Sequence, residues 1–235
     1  MWRLLVKILG LIPARSGSKG IPMKNIKKLN GKPLIAYTIL TALKSKKINK
    51  ILVSTDSKKI ASISKKFGAE IPFLRPKELS NDVSKTIDVV KHSLKFLYEN
   101  ESYVPDIIVI LQPTSPLRTS QMIDKSITML QNSNVSCVLG VKKISQHPYN
   151  SFWNKQNLLK PFTKNFQNYP QRQNLPELLY PTGSIYTFWR KTIEETNSYY
   201  GKKILPYVLP EENSIDIDTP HDFFLAESIM RKLKK

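Results

Sequence analysis

The chain has 235 residues, 40% of them hydrophobic, and a formal net charge of +19 from 37 Lys and Arg against 18 Asp and Glu. A chain of that size can bury one substantial core, and the expectation is a single domain over 1–235. Its bulk properties exclude a helical membrane span, because no run of about 18 apolar residues is present, and exclude an internal disulfide or cysteine-rich metal site, because Cys137 is the single cysteine.

A lone cysteine on a Val-rich strand fits a reducing, cytoplasmic setting. Residues 1–12 mix Trp2, Arg3 and Lys7 with apolar residues and run straight into a Gly-Ser loop, so they do not read as a signal peptide. The charge raises the prospect of nucleic acid as a partner, but its distribution argues against it. Only seven of the basic residues are Arg, and the lysines scatter over predicted helix faces such as 44–50 and 58–66. RNP-type aromatics, zinc-finger spacing and a basic region feeding a heptad are all missing. The surface reads as solvated and Lys-rich, with a field that also attracts anionic small substrates.

The first element is the apolar run 6–12, enough for a buried strand, which breaks into Pro13-Ala14-Arg15-Ser16-Gly17-Ser18-Lys19-Gly20. Glycines allow the backbone to approach a ligand closely, so successive N–H groups can converge on phosphate oxygens while Arg15, Lys19 and Lys24 add charge. The loop is neither a Walker A sequence nor G-x-G-x-x-G; a plain structural Gly-Ser turn is the bland alternative. A helix is predicted over 33–44, a strand over 50–54 and a helix over 57–67. Asp56 stands between the last two, either capping the helix, which is the favoured role, or serving as a second metal ligand.

Arg75-Pro76 follows a third short strand and offers a guanidinium at a strand end, suited to bidentate contact with a base or carboxylate. Helix 85–98 carries Ile87, Val90, Leu94 and Leu97 at helical spacing. Strand 107–111 leads into Gln112-Pro113-Thr114-Ser115-Pro116-Leu117-Arg118 and then a helix over 119–130. Gln112 can both donate and accept, as recognition of a hydroxylated ligand requires. The alternation predicts a doubly wound α/β fold with a mostly parallel sheet, whose ligands lie beyond the carboxyl ends of the strands.

Residues 144–182 change character to a Pro-, Asn- and Gln-rich stretch with aromatics, too long for an idle connection. An inserted dimerisation arm that packs on a second copy of the chain is expected there. Ile215-Asp216-Ile217-Asp218 alternates like a strand and puts both carboxylates on one face, a set suited to Mg²⁺, which takes one or two carboxylates besides substrate phosphates. Thr219-Pro220 supplies an N-cap and first position for a helix over 223–233. His92, His147 and His221 are isolated and read as surface or capping residues, and no covalent nucleophile is suggested.

Taken in order, IPARSGSKGIPMKN, ILVSTDS, LRPKELSND, LQPTSPLR and SIDIDTPHD resemble the acylneuraminate cytidylyltransferases, also called CMP-sialic acid synthetases, over nearly the whole chain. The resemblance implies a nucleotide-diphospho-sugar transferase-like fold, a homodimer joined through the arm, and transfer of CMP from CTP to a nine-carbon ulosonic acid with Mg²⁺, or alternatively Mn²⁺. It implies that Arg15, Ser18 and Lys19 meet the triphosphate, that Asn25, Arg75, Ser84, Lys85 and Thr86 hold cytidine, and that Ala14 also belongs to the CTP site. Lys19, Arg15 and Asp218 would be catalytic, with Asp216 and Asp218 on the metal. Gln112, Arg172, Thr182, Tyr199 and Tyr200 would meet the sugar, Arg172 from across the dimer. Many relatives carry Arg-Pro-Asn-Gly-Ala where this chain has Tyr180-Pro181-Thr182-Gly183-Ser184. The acceptor therefore stays open between N-acetylneuraminate, legionaminate and another nonulosonate, with pseudaminate or an octulosonate as rivals and a nucleic-acid-binding module as the remote alternative.

Overall fold

The computed structural model describes residues 6–18, 20–164 and 171–233. In chain order the elements are β1 (Ile8–Pro13), a small hairpin of β2 (Lys28–Leu29) and β3 (Lys32–Pro33), α1 (Leu34–Leu43), β4 (Lys50–Ser54), α2 (Lys58–Lys66), α3 (Thr86–Glu101), β5 (Ile107–Ile110) and α4 (Ser120–Gln131). There follow β6 (Cys137–Lys143), a second hairpin of β7 (Phe152–Lys155) and β8 (Leu158–Pro161), β9 (Leu179–Trp189), α5 (Arg190–Thr196), β10 (Ile204–Val208) and α6 (Pro220–Lys232). Among these residues no helix is long and apolar enough to cross a membrane.

Six strands form one sheet in the order β10-β6-β9-β5-β1-β4. β4, β1 and β5 run parallel, as do β6 and β10, while β9 lies antiparallel between β5 and β6. Alternation along β1 assigns the two faces: Ile8 and Ile12 pack with α1, α2 and α4, whereas Leu9 and Leu11 pack with α3 and α5. The result is three layers, helix on sheet on helix. Cys137 is fully buried on β6, and burial pushes its thiol up to about 12.

The helix starts follow from local chemistry. Ser57 accepts from the Ile60 N–H and Thr119 from the Met122 N–H, and Thr219 with Asp222 forms a capping box ahead of Pro220. Ser57, not Asp56, is therefore the cap of α2. Residues 215–218 form no regular element and pair with no strand, which corrects the predicted strand. The Ile217 N–H instead reaches the Thr114 carbonyl at 2.9 Å. The alternation has a different cause: Ile217 is fully buried in a third apolar cluster with Ile21, Leu29, Leu117 and Phe223 of α6. Burial of one such side chain contributes about 1.5–3 kcal/mol, and this cluster draws the C-terminal segment onto the residues just after the glycine loop.

β9 carries the largest irregularity. Its Tyr186 pairs with Leu139 of β6 and its Pro181 with Val141, so residues 182–185 stand opposite Gly140 alone. Such a bulge bends the strand and re-aims its side chains. Here it lifts Gly183, at φ +72°, toward the carboxyl ends of β1 and β5. The segment 144–182 contains the β7–β8 hairpin, and its last residues already belong to β9.

Candidate active site

A cavity of about 480 Å³ opens beyond the carboxyl ends of β1 and β5, where strand order reverses around β1. Its lining includes Arg15, Gly17, Ser18, Gly20, Lys24 and Asn25 from the first loop, Arg75, Asn81, Asp82, Ser84 and Thr86 from the segment before α3, Gln112 and Thr114, and Asp218. Segments far apart in sequence thus meet in one place, and the packing shows how. A Cβ on Gly20 would lie 2.2 Å from the Asp218 carbonyl oxygen, so only glycine lets the two backbones touch. Lys24 Nζ donates to the Ile217 carbonyl at 2.7 Å and to Asp218 Oδ1 at 2.9 Å.

The first loop is held at both ends. Asp56 accepts the Ser16 N–H at 2.8 Å and also the Ser16 hydroxyl, while the Asn25 amide donates to the Arg15 carbonyl at 2.9 Å. Arg15 reaches across the mouth to the Asn81 carbonyl at 2.7 Å and the Asp82 carboxylate at 2.9 Å. Lys19 lies outside the described residues. Ala14 is fully buried beneath the loop, with its N–H on the Ser54 carbonyl at 2.9 Å, and does not line the cavity. Exposed Lys85, at the N-cap of α3, does not line it either.

Arg75 lines the cavity but has spent donors on the Ser54 carbonyl at 2.5 Å and the Leu79 carbonyl at 3.3 Å. Its fork therefore closes the loop after β4 rather than standing free for a bidentate contact, although Nε is buried without a protein partner. Burial pulls the guanidinium down to about 10 against the pull of Asp56. Ser84 is likewise engaged with the Glu78 carbonyl and Asn81.

On the far side, Asp216 Oδ2 and Gln112 Oε1 converge over Gly183, where a Cβ would come within 2.9 and 3.1 Å of them. Burial raises the Asp216 carboxyl above its ordinary value; the Thr114 hydroxyl opposes this and Asp218 adds to it. Asp216 Oδ1 is buried with no protein partner. Two mutually repelling carboxylates, one with an orphaned buried oxygen, fit a hard divalent cation, and these two would hold it.

Arg118 is buried beneath this wall. It donates to the Gln112 carbonyl, to the Ser184 carbonyl at 2.7 Å and to the Thr38 hydroxyl at 3.0 Å, and burial pulls it down to about 9. Thr182 is also buried, with its hydroxyl spent on the Gly140 carbonyl at 3.1 Å, so it supports the bulge and does not line the cavity. Tyr199 and Tyr200 pack on Tyr186 in the core layer facing α3, and neither lines the cavity. Arg172 belongs to the short 3-10 turn Arg172–Asn174; its side chain is outside the described residues.

With this geometry in hand, residues 9–204 match the family model for cytidylyltransferase. The chain belongs to the cytidylyltransferase family. Among relatives of this family, it is 40% identical to the CMP-N,N'-diacetyllegionaminic acid synthase of Legionella pneumophila, covering 96% of this chain and 97% of that one. It is 34% identical to the N-acylneuraminate cytidylyltransferase of Escherichia coli, covering 96% of this chain but 52% of that one, so it spans about half of that longer protein. The fold matches a CMP:2-keto-3-deoxy-manno-octonic acid synthetase complexed with CTP at a TM-score of 0.70 and 17% identity, over 96% of this chain and 99% of that one.

The sequence reading gave Asp56 a different role from the loop clamp it is, and it missed three further residues around this site: Asp82 as the partner of Arg15, Arg118 as a buried tie and Gly183 beneath Asp216 and Gln112. Only Gly183 carried a usable signal, a glycine inside an otherwise strand-like apolar run.

Proposed function

We propose that this cytidylyltransferase moves the CMP group of CTP onto the anomeric hydroxyl of a nine-carbon ulosonic acid, releasing pyrophosphate. The observation that carries the reading is the backbone contact of Gly20 with Asp218, which sets a phosphate-type glycine loop and an acidic segment around one cavity. Arg15, Ser18 and Lys19 are assigned to the triphosphate, Asn25, Arg75, Ser84 and Thr86 to the nucleoside, and Gln112 with the Gly183 turn to the sugar acid. A new bond forms from the sugar oxygen to the α-phosphorus as the bond from that phosphorus to pyrophosphate breaks, in line. The chain contributes positioning and positive charge rather than a covalent intermediate. Mg²⁺ held by Asp216 and Asp218 would supply further neutralisation of the phosphates.

We also assign the β7–β8 hairpin to a homodimer contact. An isolated two-stranded hairpin is marginal in water, and this one exposes Phe152, Trp153, Leu158 and Leu159, the last two at 67% and 69%. Light scattering should give a dimer for the wild type and monomer for Trp153→Asp/Leu159→Asp.

The deciding experiment measures pyrophosphate release from CTP over a panel of nonulosonic and octulosonic acids, with and without Mg²⁺. Turnover with a nonulosonic acid, dependent on metal and reduced at least about a hundredfold in Lys19→Ala and Asp218→Ala, is expected. Turnover only with an octulosonic acid, or none with CTP, would overturn the reading.

A further inference from the structure

Asp56 is assigned to none of the substrate contacts given above. Ser57 takes the cap of α2, and Asp56 does not line the cavity. Both of its oxygens instead point at one residue: Oδ1 accepts the Ser16 N–H at 2.8 Å and Oδ2 the Ser16 hydroxyl. Ser16 does not line the cavity either, but Gly17 and Ser18 directly after it do.

Packing alone does not hold that turn. A Cβ built on Gly17 would meet nothing within 4 Å, so the backbone there takes its shape from what grips its ends. Asn25 grips the Arg15 carbonyl, Gly20 rests on the Asp218 carbonyl, and Asp56 grips Ser16 through two bonds that fix both position and rotation. A carboxylate accepting two donors is a strong restraint. The balance of charge is also informative, since a carboxylate near a triphosphate loop repels the ligand. Asp56 is offset by Arg75, whose guanidinium feels its field and is itself fastened to the Ser54 carbonyl two residues earlier.

We propose that Asp56 is a positioning residue for the triphosphate, holding the Ser16-Gly17-Ser18 backbone in its anion-accepting shape through Ser16 without touching the nucleotide. This rests on the CTP reading above and extends it to a residue outside the cavity.

The test is CTP binding by calorimetry together with steady-state kinetics on Asp56→Ala, Asp56→Asn, Ser16→Ala and the Asp56→Ala/Ser16→Ala pair. Asp56→Ala should weaken CTP binding and raise its KM about tenfold or more, as loss of an outer support of a binding site does, with the KM for the sugar acid unchanged within about twofold. Asp56→Asn should recover most of the loss, because its carbonyl can accept the Ser16 N–H while its amide donates to the hydroxyl. The double variant should be no weaker than Asp56→Ala, since Ser16 is the only route of the effect. Unchanged CTP affinity in Asp56→Ala, additive losses in the double variant, or equal rises in both KM values would each overturn the inference. Should Asp56→Ala not fold, Asp56→Ser, whose side chain is too short to take both Ser16 donors, gives the same refutation if its CTP affinity equals wild type. A wild-type chain that binds no CTP would instead refute the functional reading on which this stands.

Discussion

On the N-terminal side of the cavity the polar groups are tied to one another: Ser16 to Asp56, Asn25 to the Arg15 carbonyl, Arg15 to Asn81 and Asp82, and Lys24 to Asp218. On the opposite side Asp216 Oδ1, Ser115 Oγ, Ser184 Oγ and Arg118 Nε are buried without protein partners. A buried polar group left unpaired costs about 1–3 kcal/mol, so such a cluster is retained only where something outweighs it. The first wall is thus shaped largely by internal bonds, with Arg75 Nε left over, whereas the second leaves four buried polar atoms unmatched within the chain.

The contrast can be broken by steric insertion at either wall. Gly20→Ala has the largest expected effect, because a methyl 2.2 Å from the Asp218 carbonyl must push the loop and the acidic segment apart. Turnover should fall at least about a hundredfold with both substrates saturating; activity near wild type would mean that the contact is not part of the working site. Gly183→Ala comes next. Its Cβ would crowd Asp216 Oδ2 and Gln112 Oε1, and its φ of +72° is strained for any side chain. A stability loss of about 1–3 kcal/mol should accompany a raised KM for the sugar acid, with CTP affinity retained.

Two smaller effects sharpen the comparison, one from outside the cavity and one from its N-terminal wall. Lys50 bridges Glu70 at 2.5 Å and Glu101 at 2.9 Å at the start of β4. Burial pulls its ammonium down, but the two carboxylates more than offset that and raise it. Because the folded value lies above the ordinary 10.5, this stability is complete below that pH and is lost as pH rises through the raised value. Lys50→Met should cost about 1 kcal/mol in urea unfolding at pH 7, shrinking in strongly alkaline buffer, with turnover unchanged. Gly17→Ala should be smallest, within about 0.5 kcal/mol of wild type, since its Cβ enters open space. A large drop in melting temperature would show that Gly17 is needed for the fold.

The parallel half of the sheet was legible in the sequence because it obeys local rules. Apolar runs at 6–12, 50–54 and 107–111 became β1, β4 and β5, and the capping residues Thr119 and Thr219 marked α4 and α6. The other half was not, since β9 is placed by long-range pairing and its bulge opposite Gly140 leaves no periodic trace. The same holds within the site. Arg15, Gln112 and Asp218 could be read from motifs that follow strands or precede helices, and Asn25 from the family resemblance; all four line the cavity. Asp56 and Arg118 could not, because each works on the backbone of a residue distant in sequence or around a turn. Of the residues carried over by resemblance, Ala14, Lys85 and Thr182 do not line the cavity, the first and last being buried and Lys85 exposed.

β9 begins with exposed Leu179 and Tyr180, becomes buried at Thr182 and so reaches Gly183 within a few residues. The exposed start of β9 therefore runs directly into the turn over which Gln112 and Asp216 converge. Under the assignments proposed above, packing against the exposed start of β9 would retune acceptor selectivity without altering any residue in the cavity.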